Sequence, residues 1–494
     1  MSAYSELEDR EQELSKFSEL GAIAGWDEAC MMPPGGGERR GQALAALTGL
    51  IHERRADPAV GELLSQARNE VLDVWQDANV DEIDRRFRAA NAVPADLVKA
   101  RSLATSRCEQ TWREARGRND WATVLPLLEA VVNLSRERAQ ALGDAMQLDP
   151  YDALLETYEP ELRSSDVERE FSALKDFLPP LLDEVLGRQS DPLPLEGPFD
   201  VAQQRQLCET TMGILGFDFN RGRFDVSHHP FCGGVPDDTR ITTRYDESGF
   251  LESLMAICHE TGHALYQQGL PVDWRDQPVG DALGAAVHES QSLLMELQVC
   301  CSREFIEFLA PSIREAFGRD VSDPAWSGDN LYHQAIRVER GLIRVQADEV
   351  TYPLHVILRF ELERELIAGR LEVRDLPEAW NAAMLKYLGR STDGDYNNGC
   401  MQDVHWYAGL FGYFPTYTLG ALTAAQWFAT AREADPEIVP GIARGDLQPL
   451  LGWLRANIHG QGRRACMQPL LKEVTGSELD ASYFQRHLKA RYLA

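Results

Sequence analysis

The residues best suited to chemistry are His259, Glu260 and His263, in the run Cys258-His259-Glu260-Thr261-Gly262-His263-Ala264-Leu265-Tyr266. On a helix, positions i and i+4 share one face, about a turn apart. Two imidazoles so placed can hold one Zn²⁺, and Glu260 beside them can take a proton from an attacking water. A helix with two chance surface histidines is the bland alternative. The apolar register of Leu251, Leu254, Met255, Cys258, Gly262 and Leu265 argues against it, because buried imidazoles need partners.

A catalytic zinc takes three protein ligands and keeps one position open. The third candidate is Glu289, thirty positions after His259 and flanked by His288 and Ser290. It falls in a second helix-period stretch, Asp281 to Leu297. A carboxylate on an apolar helix is costly unless something offsets its charge, and a metal does so. Glu296, two turns further on, is the rival; it reads as an exposed helix carboxylate.

Stepping outward, the metal helix is predicted to start at an N-cap Ser248 and to stop at Gly269. Ahead of it, Phe224 to His229 and Thr239 to Tyr245 alternate with period two, so a small sheet precedes the helix. Cys232-Gly-Gly-Val-Pro-Asp reads as the connector between its strands. Such a sheet offers an edge strand to an extended peptide. Residues 1 to about 150 read as successive amphipathic helices, Leu7, Leu14, Phe17, Leu20 and Ile23 marking the first face. Met31-Met-Pro-Pro-Gly-Gly-Gly37 is a turn and not a phosphate loop, since no Lys-Ser or Lys-Thr follows. The pattern stays helical to about 190, with a break or restart at Pro179-Pro180. A Pro-rich connection runs from Arg188 to Pro198, and after about 280 the chain is helical again, with breaks near Pro324, Gly389 to Gly399, Pro415 and Pro436.

The 494-residue chain carries a net charge of −29, which argues against nucleic acid and anionic membranes as partners. No stretch approaches eighteen uninterrupted apolar residues, so no transmembrane helix is expected. The acidic, polar start is unlike a signal peptide. Nine cysteines without paired spacing predict a reduced, cytoplasmic protein.

Six ordered motifs now stand together: His229-Pro-Phe231, Asp238-Thr-Arg240-Ile-Thr242, His259 to His263, His288-Glu289-Ser290, Ile343-Arg344-Val-Gln-Ala-Asp348 and Gly399-Cys-Met-Gln402-Asp403-Val-His405-Trp406. With these the chain resembles the carboxypeptidase Taq family of zinc metallocarboxypeptidases. Weaker echoes at Trp26-Asp27, Met32-Pro33-Pro34 and Trp453 to His459 extend the likeness over nearly the whole chain. Leu293 departs from it, standing where the family would have Arg.

The resemblance implies a mostly α, neurolysin-like peptidase with a deep central groove and a small β-sheet beside the metal helix. Residues 1–494 would form a single peptidase domain, 1–200 flanking the groove and 201–494 carrying the zinc site. It also implies a homodimer, Zn²⁺ or Co²⁺ as the metal, and peptide substrates that lose single C-terminal residues with broad preference, proline being disfavoured next to the cut. His259, His263 and Glu289 are then the metal ligands and Glu260 the general base. His405 and Tyr417 are candidates to stabilise the oxyanion, by resemblance to neurolysin-like enzymes. Tyr413 is the alternate, against simple core packing.

Recognition of a free C-terminal carboxylate calls for arginine: Arg344 first, Arg240 second. For Arg344 the alternative is a structural ion pair, with Asp348 one turn away. His228 and His229 are expected to be structural. Two other readings use the same residues: an endopeptidase with a groove open at both ends, and a non-catalytic homologue that holds zinc structurally.

Overall fold

Amphipathic runs become helices along most of the chain. The computed structural model describes residues 2–227 and 229–493. The N-terminal helices are α1 (Ala3–Cys30), α2 (Gly37–Arg55), α3 (Pro58–Ala67), α4 (Val74–Ala92), α5 (Ala95–Gly117), α6 (Trp121–Met146), α7 (Pro150–Glu156), α8 (Ser164–Arg188) and α9 (Val201–Leu215). Side-chain caps fix several starts: Ser2 accepts from the Ser5 N–H, Asp73 and Gln76 form a capping box on α4, and Asp120 accepts from the Thr123 N–H. Where the sequence predicts a break at Pro179-Pro180, α8 runs through unbroken. Buried Leu174, Leu178, Leu181 and Leu182 hold its apolar face, and that packing outweighs the donors the prolines lack.

Three short strands follow: β1 (Gly222–Val226), β2 (Cys232–Val235) and β3 (Asp238–Thr243). Their order is β1-β3-β2, with β1 parallel and β2 antiparallel to β3. The segment read as a connector is therefore a strand. Its Cys-Gly-Gly-Val lacks the β-branched alternation that would mark one, and it is held by hairpin pairing from Val235↔Asp238 to Cys232↔Ile241.

The second half contains α10 (Leu251–Gly269), α11 (Ala285–Leu293), α12 (Arg303–Ala316), α13 (Gly328–Ala335), α14 (Tyr352–Ile367), α15 (Leu376–Leu388), α16 (Pro415–Ala434), α17 (Ile438–Ala443), α18 (Gln448–Asn457), α19 (Met467–Thr475) and α20 (Ser482–Tyr492). Ser248 does not cap α10. Phe250 is the N-cap, and the Ser248 N–H turns back to Asp246. After α11 the backbone widens into a π-helical segment, Leu294–Cys300.

One continuous apolar core runs from Cys108 to Leu488, with α10, α11, α14 and α16 contributing its fully buried interior. It crosses residue 200 without interruption. A separate small cluster, Tyr4, Leu7, Val60, Leu63, Leu64, Ala67, Val80 and Ile83, ties α1, α3 and α4 together. Helix α2 buries none of its side chains. Among the described residues no helix is long and apolar enough to cross a membrane.

Candidate metal centre and active site

Two close helix approaches build the site. At Gly262 a Cβ would stand 2.4 Å from the Gln291 carbonyl oxygen, so α10 can lie directly on α11 only with glycine there. At Gly420 a Cβ would stand 2.8 Å from Cβ of Glu289, so α16 closes over α11 from another side. Between these approaches the Glu289 carboxylate is buried. Glu289 Oε2 lies 3.9 Å from His259 Nε2 and 3.4 Å from His263 Nε2, and the two imidazole planes are nearly perpendicular, at 82°. The ligand atoms of His259, His263 and Glu289 all lie within 4.8 Å of one another. His₂Glu with both Nε2 atoms facing one carboxylate is a donor set that fits a divalent metal and leaves a position open.

The Nδ1 atoms support this assignment. A ring that offers its Nε2 lone pair carries its proton on Nδ1, which then needs an acceptor. His259 Nδ1 donates to Glu296 Oε2 at 2.7 Å, and His263 Nδ1 lies 3.1 Å from the His288 carbonyl. The His288 ring itself stands 2.6 Å from His263 Nδ1 and is braced by Gln267. Glu296 is thus not the exposed helix carboxylate expected from the sequence. It is only partly exposed and orients a metal ligand, in the arrangement that also raises imidazole basicity. Replacing Glu296 by Gln is expected to weaken metal binding by ~10- to 100-fold in a chelator-competition titration. An unchanged dissociation constant would show that the contact does not support the ligand.

The field at the site separates the carboxylates by task. Burial would raise the Glu289 carboxyl, but His259 and His263, with Arg344 at longer range, outweigh it and hold it below its usual value. For Glu260 burial wins and its carboxyl is pushed up. Burial would lower the His259 ring, but Glu289, Glu296 and Glu260 raise it to about 10, the mark of a site with negative charge to spare for a cation.

His405 and Tyr417, the two oxyanion candidates, lie together: His405 Nε2 is 3.0 Å from the Tyr417 hydroxyl. The fields of Glu289 and Glu260 both reach Tyr417, so the pair stands near the triad. Tyr413 packs on both, 5.6 Å from the His405 ring and 5.3 Å from the Tyr417 ring. Burial pushes the His405 imidazole down to about 3, leaving it neutral, and pushes the Tyr417 hydroxyl up, keeping its proton. His229 is exposed, its carbonyl accepts from Ser227 Oγ, and its charge is felt at His405. His228 lies outside the described residues.

The arginines divide. Arg240 is engaged by Asp238, at 2.9 and 2.6 Å, and stacks 4.4 Å over the Trp26 ring. Arg344 is buried, and its ion-pair partner is not Asp348. Asp348 caps the next turn, accepting from the Val350 and Thr351 N–H groups. Arg344 instead places Nη2 2.9 Å and Nε 3.2 Å from Asp403 Oδ1, with its guanidinium 4.6 Å over the Tyr417 ring. Asp403 also holds Arg359, whose Nε lies 2.7 Å away. One turn further along α14, Glu363 accepts from Trp406 Nε1, Tyr151 and the Gly412 N–H. Together, Arg359 and Glu363 pin both sides of the loop that carries His405. Their signal in the sequence is His355, Arg359 and Glu363 at i, i+4 and i+8, one polar stripe on the buried face of a helix whose other charges, Glu361, Arg364 and Glu365, are partly exposed.

A sequence profile of the carboxypeptidase Taq (M32) metallopeptidases matches residues 6–492. The chain belongs to this family. It is 42% identical to thermostable carboxypeptidase 1 of Thermus thermophilus, over 100% of this chain and 98% of that protein. It is 32% identical to carboxypeptidase 1 of Bacillus subtilis, over 99% and 97%. Among solved structures, metallocarboxypeptidase 1 of Trypanosoma cruzi superposes with a TM-score of 0.96 at 39% identity, over 100% of this chain and 99% of that one. A carboxypeptidase of Pyrococcus furiosus gives 0.95 at 33%, with the same coverage. This member of the carboxypeptidase Taq family is a metal-dependent carboxypeptidase, and the mostly helical fold with a small sheet is the family's.

Proposed function

We propose that the protein removes single residues from the free C-terminus of peptides, with broad preference, using Zn²⁺ held by His259, His263 and Glu289. The observation that carries this is Arg344. Asp403 fixes one edge of its guanidinium beside Tyr417, and its charge reaches Glu289. Among the described residues its Nη1 has no hydrogen-bond partner, which leaves a donor for a substrate carboxylate. Arg240, tied to Asp238, is the second choice.

Held by His259, His263 and Glu289, a divalent metal would supply Lewis acidity to the scissile carbonyl and would lower the pKa of the attacking water toward ~7. Glu260, raised by burial and without a protein donor on its carboxylate among the described residues, accepts the proton of that water. It then delivers the proton to the leaving amine. Among the described residues His405 Nδ1 is buried without a partner, so the tautomer protonated on Nε2 leaves only a lone pair unmatched there. That Nε2–H donates to the Tyr417 oxygen and turns the phenol proton outward, toward the oxyanion. Tyr413 is the alternate donor.

The nitrogen-rich donor set supports Zn²⁺, and Co²⁺ is expected to substitute. Chelation should abolish peptide cleavage, Zn²⁺ or Co²⁺ should restore it, and helical circular dichroism should persist, because the core is not built on the metal. Full activity in rigorously metal-free protein would refute the assignment. Nine free cysteines, six of them buried, support a reducing, cytoplasmic setting. A homodimer is proposed too, and sedimentation velocity reads it directly.

Arg344→Ala is expected to lower kcat/KM on free-acid peptides by ~10- to 100-fold with metal content intact. The parent should reject C-terminally amidated peptides and the variant should lose that discrimination. A parent that cuts both kinds equally, at internal bonds, is an endopeptidase. Discrimination that survives in Arg344→Ala but vanishes in Arg240→Ala moves the clamp to Arg240.

A further inference from the structure

Helix α20 reaches back toward the metal centre through one buried carboxylate. His487 and Arg491 stand one turn apart on α20, and both meet Glu349, which lies between Arg344 and the start of α14. His487 Nε2 is 2.7 Å from Glu349 Oε1, Arg491 Nη1 is 2.9 Å from Oε2, and the Tyr492 hydroxyl donates to Oε2 at 3.3 Å. Burial would raise the Glu349 carboxyl, but His487 and Arg491 outweigh it and bring it down to about 2, so it stays ionised opposite the Arg491 cation. The two side chains are only 7% and 2% exposed, so water does not screen the Arg491–Glu349 pair as it would one at the surface.

The other arm of Arg491 does something the ion pair does not require. Its Nη2 donates to the Leu297 carbonyl at 2.8 Å, inside the π-helical segment Leu294–Cys300. Carbonyls in the last turn of a helix need partners from elsewhere. Here the Cys301 N–H bonds to the Glu296 carbonyl and the Ser302 N–H to the Val299 carbonyl, so neither closes on Leu297. A guanidinium fixed along one edge by a buried carboxylate aims its remaining N–H in a set direction. Leu297 adjoins Glu296, whose Oε2 accepts from His259 Nδ1 at 2.7 Å. A continuous path thus runs from Glu349 through Arg491 and the Leu297 backbone to Glu296 and His259.

We propose that Arg491 is a positioning residue for the metal centre: by holding the Leu297 carbonyl it fixes the backbone that presents Glu296 to His259. This rests on the reading of His259 as a metal ligand oriented by Glu296.

The test is a chelator-competition titration with Co²⁺ on protein stripped of metal. Arg491→Met, which keeps a long side chain but no donor, should weaken Co²⁺ binding by roughly tenfold. In a Glu296→Gln background, where the path is already cut, the same change should cost less than about twofold. Arg491→Lys, which returns the charge and a donor without the fork, should recover part of the affinity. Arg486→Met, a charge removed from the exposed side of the same helix, should leave it unchanged. Because Arg491→Met leaves Glu349 short of a partner, the pair Arg491→Met and Glu349→Gln is measured too; it leaves no unpaired buried charge and should bind Co²⁺ as weakly. A lower thermal midpoint with unchanged Co²⁺ affinity would mark a purely structural ion pair and overturn the proposal. So would equal losses with and without Glu296→Gln, or equal weakness in the Met and Lys variants. If Glu296→Gln weakens Co²⁺ binding and Arg491→Met does not, this proposal alone fails. If Glu296→Gln itself has no effect, the reading of the His259 contact fails with it.

Discussion

Glu260→Gln is expected to reduce kcat by at least ~10²-fold while the protein still binds its metal. The amide fills the same volume on the buried face of α10 and can still bond a water, but it cannot take a proton. Metal retention follows because the ligands and their Nδ1 acceptors, Glu296 and the His288 carbonyl, are untouched. Metal analysis and steady-state kinetics on the same preparation check both halves. Near-normal turnover in metal-replete Glu260→Gln would assign the base elsewhere.

Asp403→Asn is expected to produce the largest loss of stability. Asp403 is the common partner of Arg344 and Arg359, both buried, and removing its charge leaves two guanidiniums uncompensated. Breaking a buried pair in this way costs about 3–5 kcal/mol. Burial would raise the Asp403 carboxyl, but Arg344 and Arg359 outweigh it and hold it well below the usual carboxylate range. A depressed carboxyl contributes stability above its unfolded value, ~3.9, and loses that contribution only as pH falls through the folded value. The gap in urea midpoint between parent and variant should therefore stay constant from neutral pH to about pH 5 and narrow below ~4. A gap that narrows at neutral pH would contradict the charge argument. Activity should fall as well, because the loop from Asp403 to Gly412 carries His405.

The metal triad was legible because its signal is local. His259 and His263 are one turn apart, and Glu289 is a carboxylate that an apolar helix could not otherwise carry. Glu296 reads as an exposed helix carboxylate because its partner, the His259 Nδ1, lies 37 positions back in the chain, and a single sequence does not show that pairing. The partner of Arg344 was sought one turn away, at Asp348, yet the true partner lies 59 positions on in the chain. Long-range polar pairing leaves no periodic trace in a single sequence. Strand β2 was lost to its glycines, and the continuity of α8 through two prolines depends on packing that local propensity cannot report. The polar stripe of α14 was readable but carried no meaning until Asp403 and Trp406 stood opposite it.

The separate cluster joining α1, α3 and α4 bears on how the chain breathes. Sub-global opening follows packing, and its free energy is set by what each cooperative unit buries. The small cluster and α2, which buries nothing, form a unit far less protected than α10, α11, α14 and α16. Amide protons of the N-terminal arm are therefore expected to exchange through fluctuations that leave the metal helices closed, which hydrogen-exchange mass spectrometry would read as faster exchange in α1 to α3 than in α10 and α11. Helix α1 also packs against β2, an edge strand of the sheet. An excursion of that arm would therefore uncover the backbone edge of β2 next to α10 without opening the main core.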